Sequence, residues 1–394
     1  MPSNKLTQSL VVMLIITFSL AALQVSQTEG EPTEDSWVSK APMQEARGSL
    51  GVAVVNGKIY AIGGMNASSR PPADTNEEYD PSTDTWTFKA PMPTPRYSFA
   101  TAVYQNKIYC IGGTTAVDNA QVASAANEAY DPATDKWEAK APMPIPRESV
   151  EANVVDGKIY VVGGDSNATD AYDPATDSWT IKAQMSVIPY VIYGCSSAVV
   201  DNKIHVIGAG FHEIYDPSTG SWSSGAQPPL GAFKGGAGAT TGVNAPKRVY
   251  VFGVARHEWG LNLPDFTSQS YDSKTNSWAV FASMPTGRVY LSVAVVDDMV
   301  FAIGGYTPII GNNIIASAVN EQYTPIGYGT PDPSPSPMPS PSSTPSQEPT
   351  STPEPKQPIS IPTIWIAAIA ALVAVVILEL IIIYFLKVKR TKSQ

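Results

Sequence analysis

Between residues 31 and 325 the chain repeats one pattern of apolar and polar positions. The second unit shows it most plainly. Residues 98–104 are small and alternate apolar with polar, and Gln105-Asn106 follows as a two-residue turn signal. A continuous apolar run at 107–111 ends on Gly112-Gly113, and a variable loop leads to a third apolar stretch ending in Ala129-Tyr130. Residues 131–135, D-P-A-T-D, have the proline and Asx chemistry of a tight turn. Residues 137–141 form the last stretch, and Pro142-Met143-Pro144 leads to Arg147 and the next unit. Val, Ile, Tyr and Trp enrichment predicts four short strands per unit.

The unit recurs. Its tryptophans stand at Trp37, Trp86, Trp137, Trp179, Trp222 and Trp278, at intervals of 49, 51, 42, 43 and 56 residues. That period is too long for helical hairpin repeats and fits a four-stranded propeller blade. The sixth unit stops at Tyr323-Thr324-Pro325, before any tryptophan strand, whereas residues 37–41 form a tryptophan strand with no blade before it. The first strand is therefore expected to complete the sixth blade beside residues 319–323, leaving no open seam. The fold class expected is all-β, a six-bladed propeller closed by the N-terminal strand over residues 31–325.

The glycine doublet, the following Y-D-P and the spaced tryptophan together resemble the Kelch family. Three units carry the pattern almost fully (47–86, 96–137 and 147–179). The fourth has Gly208-Ala209 for its doublet and Ile192 where the others have Arg; the fifth has Gly253-Val254, Lys234 and a longer first turn.

Strand direction sorts the connections onto two faces. The short first turns and the Y-D-P turns share the lower face. The loops after the doublets share the upper face with the links between units. These loops vary most, at 65–75, 114–126, 255–268 and 306–318. Loops on a rigid scaffold carry function, so the upper face is the candidate site. The chain leaves the last strand on the lower face.

The ends read differently. Residues 10–23 are apolar, follow Lys5 and precede polar residues, as in a secretory signal peptide, placed at 1–24. Residues 326–362 form a Pro/Ser/Thr-rich stalk, with 12 prolines between 327 and 362, too polar to bury a core and expected to be disordered, extended and partly polyproline II. Residues 363–386 are apolar over 24 positions, enough for one transmembrane helix, with Trp365 and Tyr384 near its ends. Lys387, Lys389, Arg390 and Lys392 in the 387–394 tail put that end in the cytoplasm by the positive-inside rule. The expectation is a single-pass type I protein of the plasma membrane with an extracellular propeller. Glu379 inside the apolar run points to a partner helix, or to a protonated carboxyl or one reaching for Lys387.

A net charge of −10 removes nucleic acid from the expected partners. Two cysteines, Cys110 and Cys195, exclude a disulfide scaffold; sitting in non-adjacent blades, they are expected to be buried free thiols. Three histidines leave little for a metal centre, and no cofactor or metal is expected.

Arg47, Arg96, Arg147 and Arg288 each stand 16 residues before their doublet, and Lys234 is assigned the same slot in the fifth unit. Symmetry places them at the mouth of the central channel, where guanidinium groups suit an anionic ligand. The family resemblance implies the same, since some Kelch domains use these arginines on acidic peptides. Alternatively each pairs with Glu77, Glu128, Asp170, Glu213 or Glu321, which recur two residues before the repeat tyrosine. The repeat tryptophans and tyrosines fit sugar stacking, or by their period packing between blades. Asn66 and Asn167 begin N-glycosylation sequons, and Asp165, Asn167 and Asp170 are a weak calcium pattern.

Two function classes follow. One is a surface-anchored module binding a protein or glycan on the upper face. The other is an extracellular carbohydrate-active enzyme, since galactose oxidase and sialic acid mutarotase are Kelch-type propellers. An oxidase site needs histidines and a Cys–Tyr cross-link that this chain does not bring together; a mutarotase needs only an acid/base pair such as Arg with Glu.

Overall fold

The computed structural model describes residues 32–330, apart from 67–70, 119, 187–193, 231–234, 254, 259–260, 265–267 and 309–313. The signal segment, stalk, apolar run, basic tail and Glu379 expected from the sequence lie outside the described residues, as does Lys234. Among the described residues no helix is long and apolar enough to cross a membrane.

The described chain is all-β, with six four-stranded antiparallel sheets. Blade 1 is Gly51–Val55, Lys58–Ile62, Asn76–Asp80 and Thr85–Lys89. Blade 2 runs Ala100–Tyr104, Lys107–Ile111, Asn127–Asp131 and Lys136–Lys140. Blades 3, 4 and 5 repeat this order from Val150–Val155, Ser196–Val200 and Gly236–Ala239. Blade 6 takes three strands from Ser292–Val296, Met299–Ile303 and Asn320–Thr324, and its fourth from the other end of the chain, Ser36–Lys40. Trp37 pairs with Tyr323 and Lys40 with Asn320, so the expected closure is present.

Burial explains the sequence pattern. The second strand of each blade is covered on both faces; Ile59, Tyr60, Ala61 and Ile62 are all at most 3% exposed. Hence its residues are continuously apolar rather than alternating. Six apolar clusters fill the wedges between neighbouring blades. Ile59 packs toward Phe301 and Ile303 of blade 6, and Tyr60 toward Ile108 and Tyr130 of blade 2. The outermost strands carry charged and polar residues at many exposed positions, Thr85, Thr87, Lys136 and Glu138 among them, beside exposed apolar residues such as Phe88 and Ile181.

The repeated aromatics tie one blade to the next. Each tryptophan indole donates to an alanine carbonyl of the preceding A-P or A-x segment: Trp86 to Ala41, Trp137 to Ala90, Trp179 to Ala141, Trp222 to Ala183, Trp278 to Ala226 and Trp37 to Ala282, all at 2.7–2.9 Å. Each also packs on its blade's tyrosine, Tyr79 on Trp86 at 4.9 Å between centroids. The aspartate just before the tryptophan strand completes the joint. Asp84 accepts the Tyr79 hydroxyl at 2.6 Å and the Ala41 N–H at 2.8 Å. Asp135, Asp177, Asn276 and Asp35 do the same in blades 2, 3, 5 and 6. Blade 4 has Gly220 there. The aromatic repeat thus serves packing between blades.

Candidate functional site

The upper face begins with the glycine doublets. Gly63 and Gly64 have φ of 59° and 94°, and a Cβ on Gly64 would lie 2.8 Å from the Gly48 carbonyl oxygen. This left-handed turn aims two carbonyls at Arg47. Its guanidinium donates to Gly63 O at 2.5 Å, Thr75 O at 3.1 Å and Ala61 O at 3.3 Å, and to Glu77 Oε1 at 2.7 Å. Arg96 repeats this with Gly112, Ala126, Cys110 and Glu128, and Arg288 with Gly304, Val319, Ala302 and Glu321. Arg147 meets Gly163, Ala168 and Asp170. The backbone carbonyls of these arginines also accept the doublet N–H of the previous blade: Gly64 to Arg96, Gly113 to Arg147 and Gly305 to Arg47, each at 2.9 Å.

This changes the reading of the cation ring. All four guanidinium groups are at most 2% exposed and held by carboxylates of their own blades. They do not stand free at the channel mouth; the arrangement is the paired alternative. Burial pulls each guanidinium below its ordinary pKa, and the carboxylate pulls against it. Burial also raises Asp170, against the pull of Arg147. Glu213 of blade 4 accepts instead from Ser224 Oγ, at 3.1 Å. Lys234 itself lies outside the described residues. Arg47, Arg96 and Arg288 stand four residues before Gly51, Ala100 and Ser292, whose counterpart in blade 5 is Gly236; Lys234 precedes Gly236 by two.

The other sequence candidates are not gathered into a site. Asn167 Nδ2 donates to the Met185 carbonyl at 3.1 Å and Asn167 is half-buried, so a glycan on that nitrogen competes with a structural bond. Asn66 is half-buried. With Asp170 committed to Arg147 and Asn167 to Met185, Asp165, Asn167 and Asp170 do not converge; among the described residues no group of three or more acidic, His or Cys side chains could hold a metal. Cys110 and Cys195 are buried free thiols, as expected, and burial pushes Cys110 up to about 12. His205 and His212 form a buried pair, Nδ1 to Nε2 at 2.9 Å.

Three of the long upper loops, those of blades 2, 6 and 5, contain extra β-ribbons: Thr114–Val117 with Ala120–Ala123, Tyr306–Pro308 with Ile314–Ala316, and Ala255–Glu258 with Leu261–Pro264. On this face Val117 is 52% exposed and Ile315 53%.

Within the ring, the first strands line a channel. At its mouth Ser49, Ser98, Ser149 and Tyr290 all take left-handed φ, between 52° and 54°. Three of their links run blade to blade through the backbone: Ser49 N to Tyr290 O, Ser98 N to Ser49 O and Ser149 N to Ser98 O, at 2.8–2.9 Å. One level down, five blades place small residues at equivalent register: Gly51, Ala100, Ser196, Gly236 and Ser292. Blade 3 places Glu151 there. The spacing of motifs gave no sign of this residue.

Comparison with known proteins follows the fold. Residues 33–210 match the KLHDC2/KLHL20/DRC7 Kelch-repeats domain. Kelch-like protein 40 of Xenopus tropicalis is 26% identical over 190 residues, 45% of this chain and 30% of that protein. Kelch-like protein 15 of Danio rerio is 28% identical over 212 residues, 46% of this chain and 34% of that protein. The matches therefore span about a third of these relatives' length. The solved structure of YjhT superposes with a TM-score of 0.59 at 17% identity, covering 70% of this chain and 94% of that one, a likeness of fold.

Proposed function

Since the chain is a β-propeller of the Kelch-repeat type, we propose that it is a binding module held at the cell surface, taking a protein or glycan ligand on its upper face. The observation that carries this is the contrast between faces. The turns of the lower face are short and uniform except the longer first turn of blade 5, between Ala239 and Val249. The upper face carries ribbons whose apolar residues, Val117 and Ile315, point into solvent where the repeat has no use for them. On the blade 2 ribbon Val122 is exposed beside Val117, and contiguous exposed apolar surface, unlike scattered side chains, marks interaction surfaces.

The setting rests on the sequence. A signal segment, a proline-rich stalk and one apolar run followed by basic residues give a type I plasma-membrane topology, with the upper face directed outward. Sequons at Asn66 and Asn167 fit an extracellular glycoprotein, and Glu379 offers a contact to a partner helix. No nucleic acid partner is expected at this charge.

The enzyme alternative loses half of its acid/base pair. A mutarotase-like mechanism drew on an arginine at the channel mouth, and the four arginines are committed to buried carboxylates. A peptide and glycan array probed with residues 31–330 tests the binding reading. Capture that Val117→Glu with Ile315→Glu abolishes supports the upper face; capture that both substitutions leave intact contradicts it.

A further inference from the structure

Glu151 is the one carboxylate among the described residues lining the central channel. Its setting differs from that of the four acids that hold the repeat arginines. Glu77, Glu128, Asp170 and Glu321 each hold an arginine; Glu151 has no ion pair among the described residues. It accepts from Ser197 through both the Oγ, at 3.3 Å, and the backbone, and the Ser197 hydroxyl is itself held by Asn153 Nδ2 at 2.8 Å. A carboxylate at a slot filled elsewhere by Gly, Ala or Ser is not required by the repeat.

The space beside it is built. A cavity of about 210 Å³ opens next to Glu151, bordered by Thr101, Ser197 and Ser292. At ~30 Å³ per water it holds roughly seven waters, so it excludes a peptide and admits a molecule of a few heavy atoms. Directly above, the mouth is lined by Ser49, Ser98, Ser149 and Tyr290 together with the edges of Leu50, Phe99 and Leu291. The channel is therefore polar and singly acidic below, with polar and apolar groups mixed at its mouth. A single carboxylate is too little for a calcium site, which takes six to eight oxygens, several of them charged. It matches one positive charge.

We propose that the channel beside Glu151 binds a small protonated amine, its ammonium on the Glu151 carboxylate and the surrounding hydroxyls, its alkyl part between Leu50, Phe99 and Leu291. The site is independent of the rim surface proposed above, and either can fail alone.

The proposal has a pH signature. The surrounding protein raises Glu151 to about 8, with the Ser197 bonds opposing. The titratable groups facing it are the thiol of Cys195, just before the first strand of blade 4, and Tyr290 at the mouth. Burial raises both, Tyr290 to about 12, so neither ionises near neutrality. Thr101 and Ser197 on the flanking first strands do not titrate. An alkylammonium, with a pKa of about 10 like that of lysine, stays charged throughout. The amine must then displace the carboxyl proton, so affinity rises roughly tenfold per pH unit up to pH ~8 and levels off above it.

The test uses the full-length chain with n-propylamine, n-propanol and Ca²⁺ as separate probes between pH 6 and pH 9. Saturation-transfer NMR is expected to show amine binding that strengthens with pH as stated and weakens at least tenfold at pH 8 in Glu151→Gln. A carboxyl-carbon titration of the unaltered chain needs no variant: saturating n-propylamine should lower the Glu151 midpoint by a unit or more. Amine binding that is independent of pH, equal binding of n-propanol, a midpoint moved by Ca²⁺ and not by the amine, or no saturable amine binding would each overturn the proposal.

Discussion

The Asp35 carboxylate accepts the Tyr323 hydroxyl at 3.0 Å, across 288 residues of sequence, and through the same oxygen the Ala282 N–H at 2.8 Å. One side chain near the start of the ring thus grips the last strand of its own blade and the end of the blade before it. Asp35→Ala removes two hydrogen bonds to a charged group, each worth about 1.5–3 kcal/mol. Thermal melts should show a drop of several degrees; an unchanged melt would mean that the joint contributes nothing to closure.

Blade 4 lacks this joint and offers the converse experiment. Gly220 has φ of 68°, close to the 50–54° of Asp84, Asp135 and Asp177, and a Cβ there meets only the Tyr215 hydroxyl at 3.9 Å. Gly220→Asp should therefore give Tyr215 and the Ala183 N–H the partner their counterparts have. A stabilisation of about 0.5–2 kcal/mol is expected, read as a raised denaturant midpoint; a lowered midpoint would show that the blade 4 joint differs in geometry.

The buried ion pairs make a different prediction. Arg288 and Glu321 meet at 2.8 Å with both side chains at most 2% exposed. Removing one partner leaves a buried charge alone, so Arg288→Ala should destabilise by about 3–5 kcal/mol. A surface binding arginine would cost at most about 0.5 kcal/mol, and urea titration distinguishes the two.

The blades were readable because every unit places the same residues against the same neighbours. Doublets, tyrosines and tryptophans recur at the period of the sheet, and the orphan Trp37 strand matches the missing strand of the sixth blade. Residues that work between units were less readable. Asp84 and Asp135 look like ordinary turn residues, because their second partner lies 43 or 45 positions away. Asn320, which donates to Ala41 across 279 positions, shares that fate. Residues 114–126 carried no strand signal strong enough to reveal a ribbon. Glu151 was invisible for a topological reason: the axis gathers six first strands that no local spacing relates.

The histidine pair should confer acid sensitivity. His212 Nδ1 lies 3.0 Å from the Ala226 carbonyl, so it carries the proton, and its Nε2 accepts from His205 Nδ1–H. Burial, then the neighbouring His212, lower His205 to about 4. The folded form binds the proton less readily than the unfolded chain, so this stability is complete above pH ~6.5 and is lost as pH falls through 4. The loss amounts to roughly 3 kcal/mol. His205→Tyr, which restores the residue found at Tyr60, Tyr109 and Tyr160, should flatten the melting temperature across that window; an unaltered slope would assign the sensitivity elsewhere.

Closure of the ring by its first strand orders the blades and thereby assigns the upper face, so the most direct measurement joins that strand to its partner. Val38 lies opposite Gln322 in antiparallel register, at a separation suited to a disulfide. The double variant Val38→Cys with Gln322→Cys, oxidised in the folded state and digested for mass spectrometry, should yield a peptide linking positions 38 and 322 and a raised melting temperature. A folded double variant whose new thiols remain reduced, or link only between molecules, would contradict the closed six-bladed wheel.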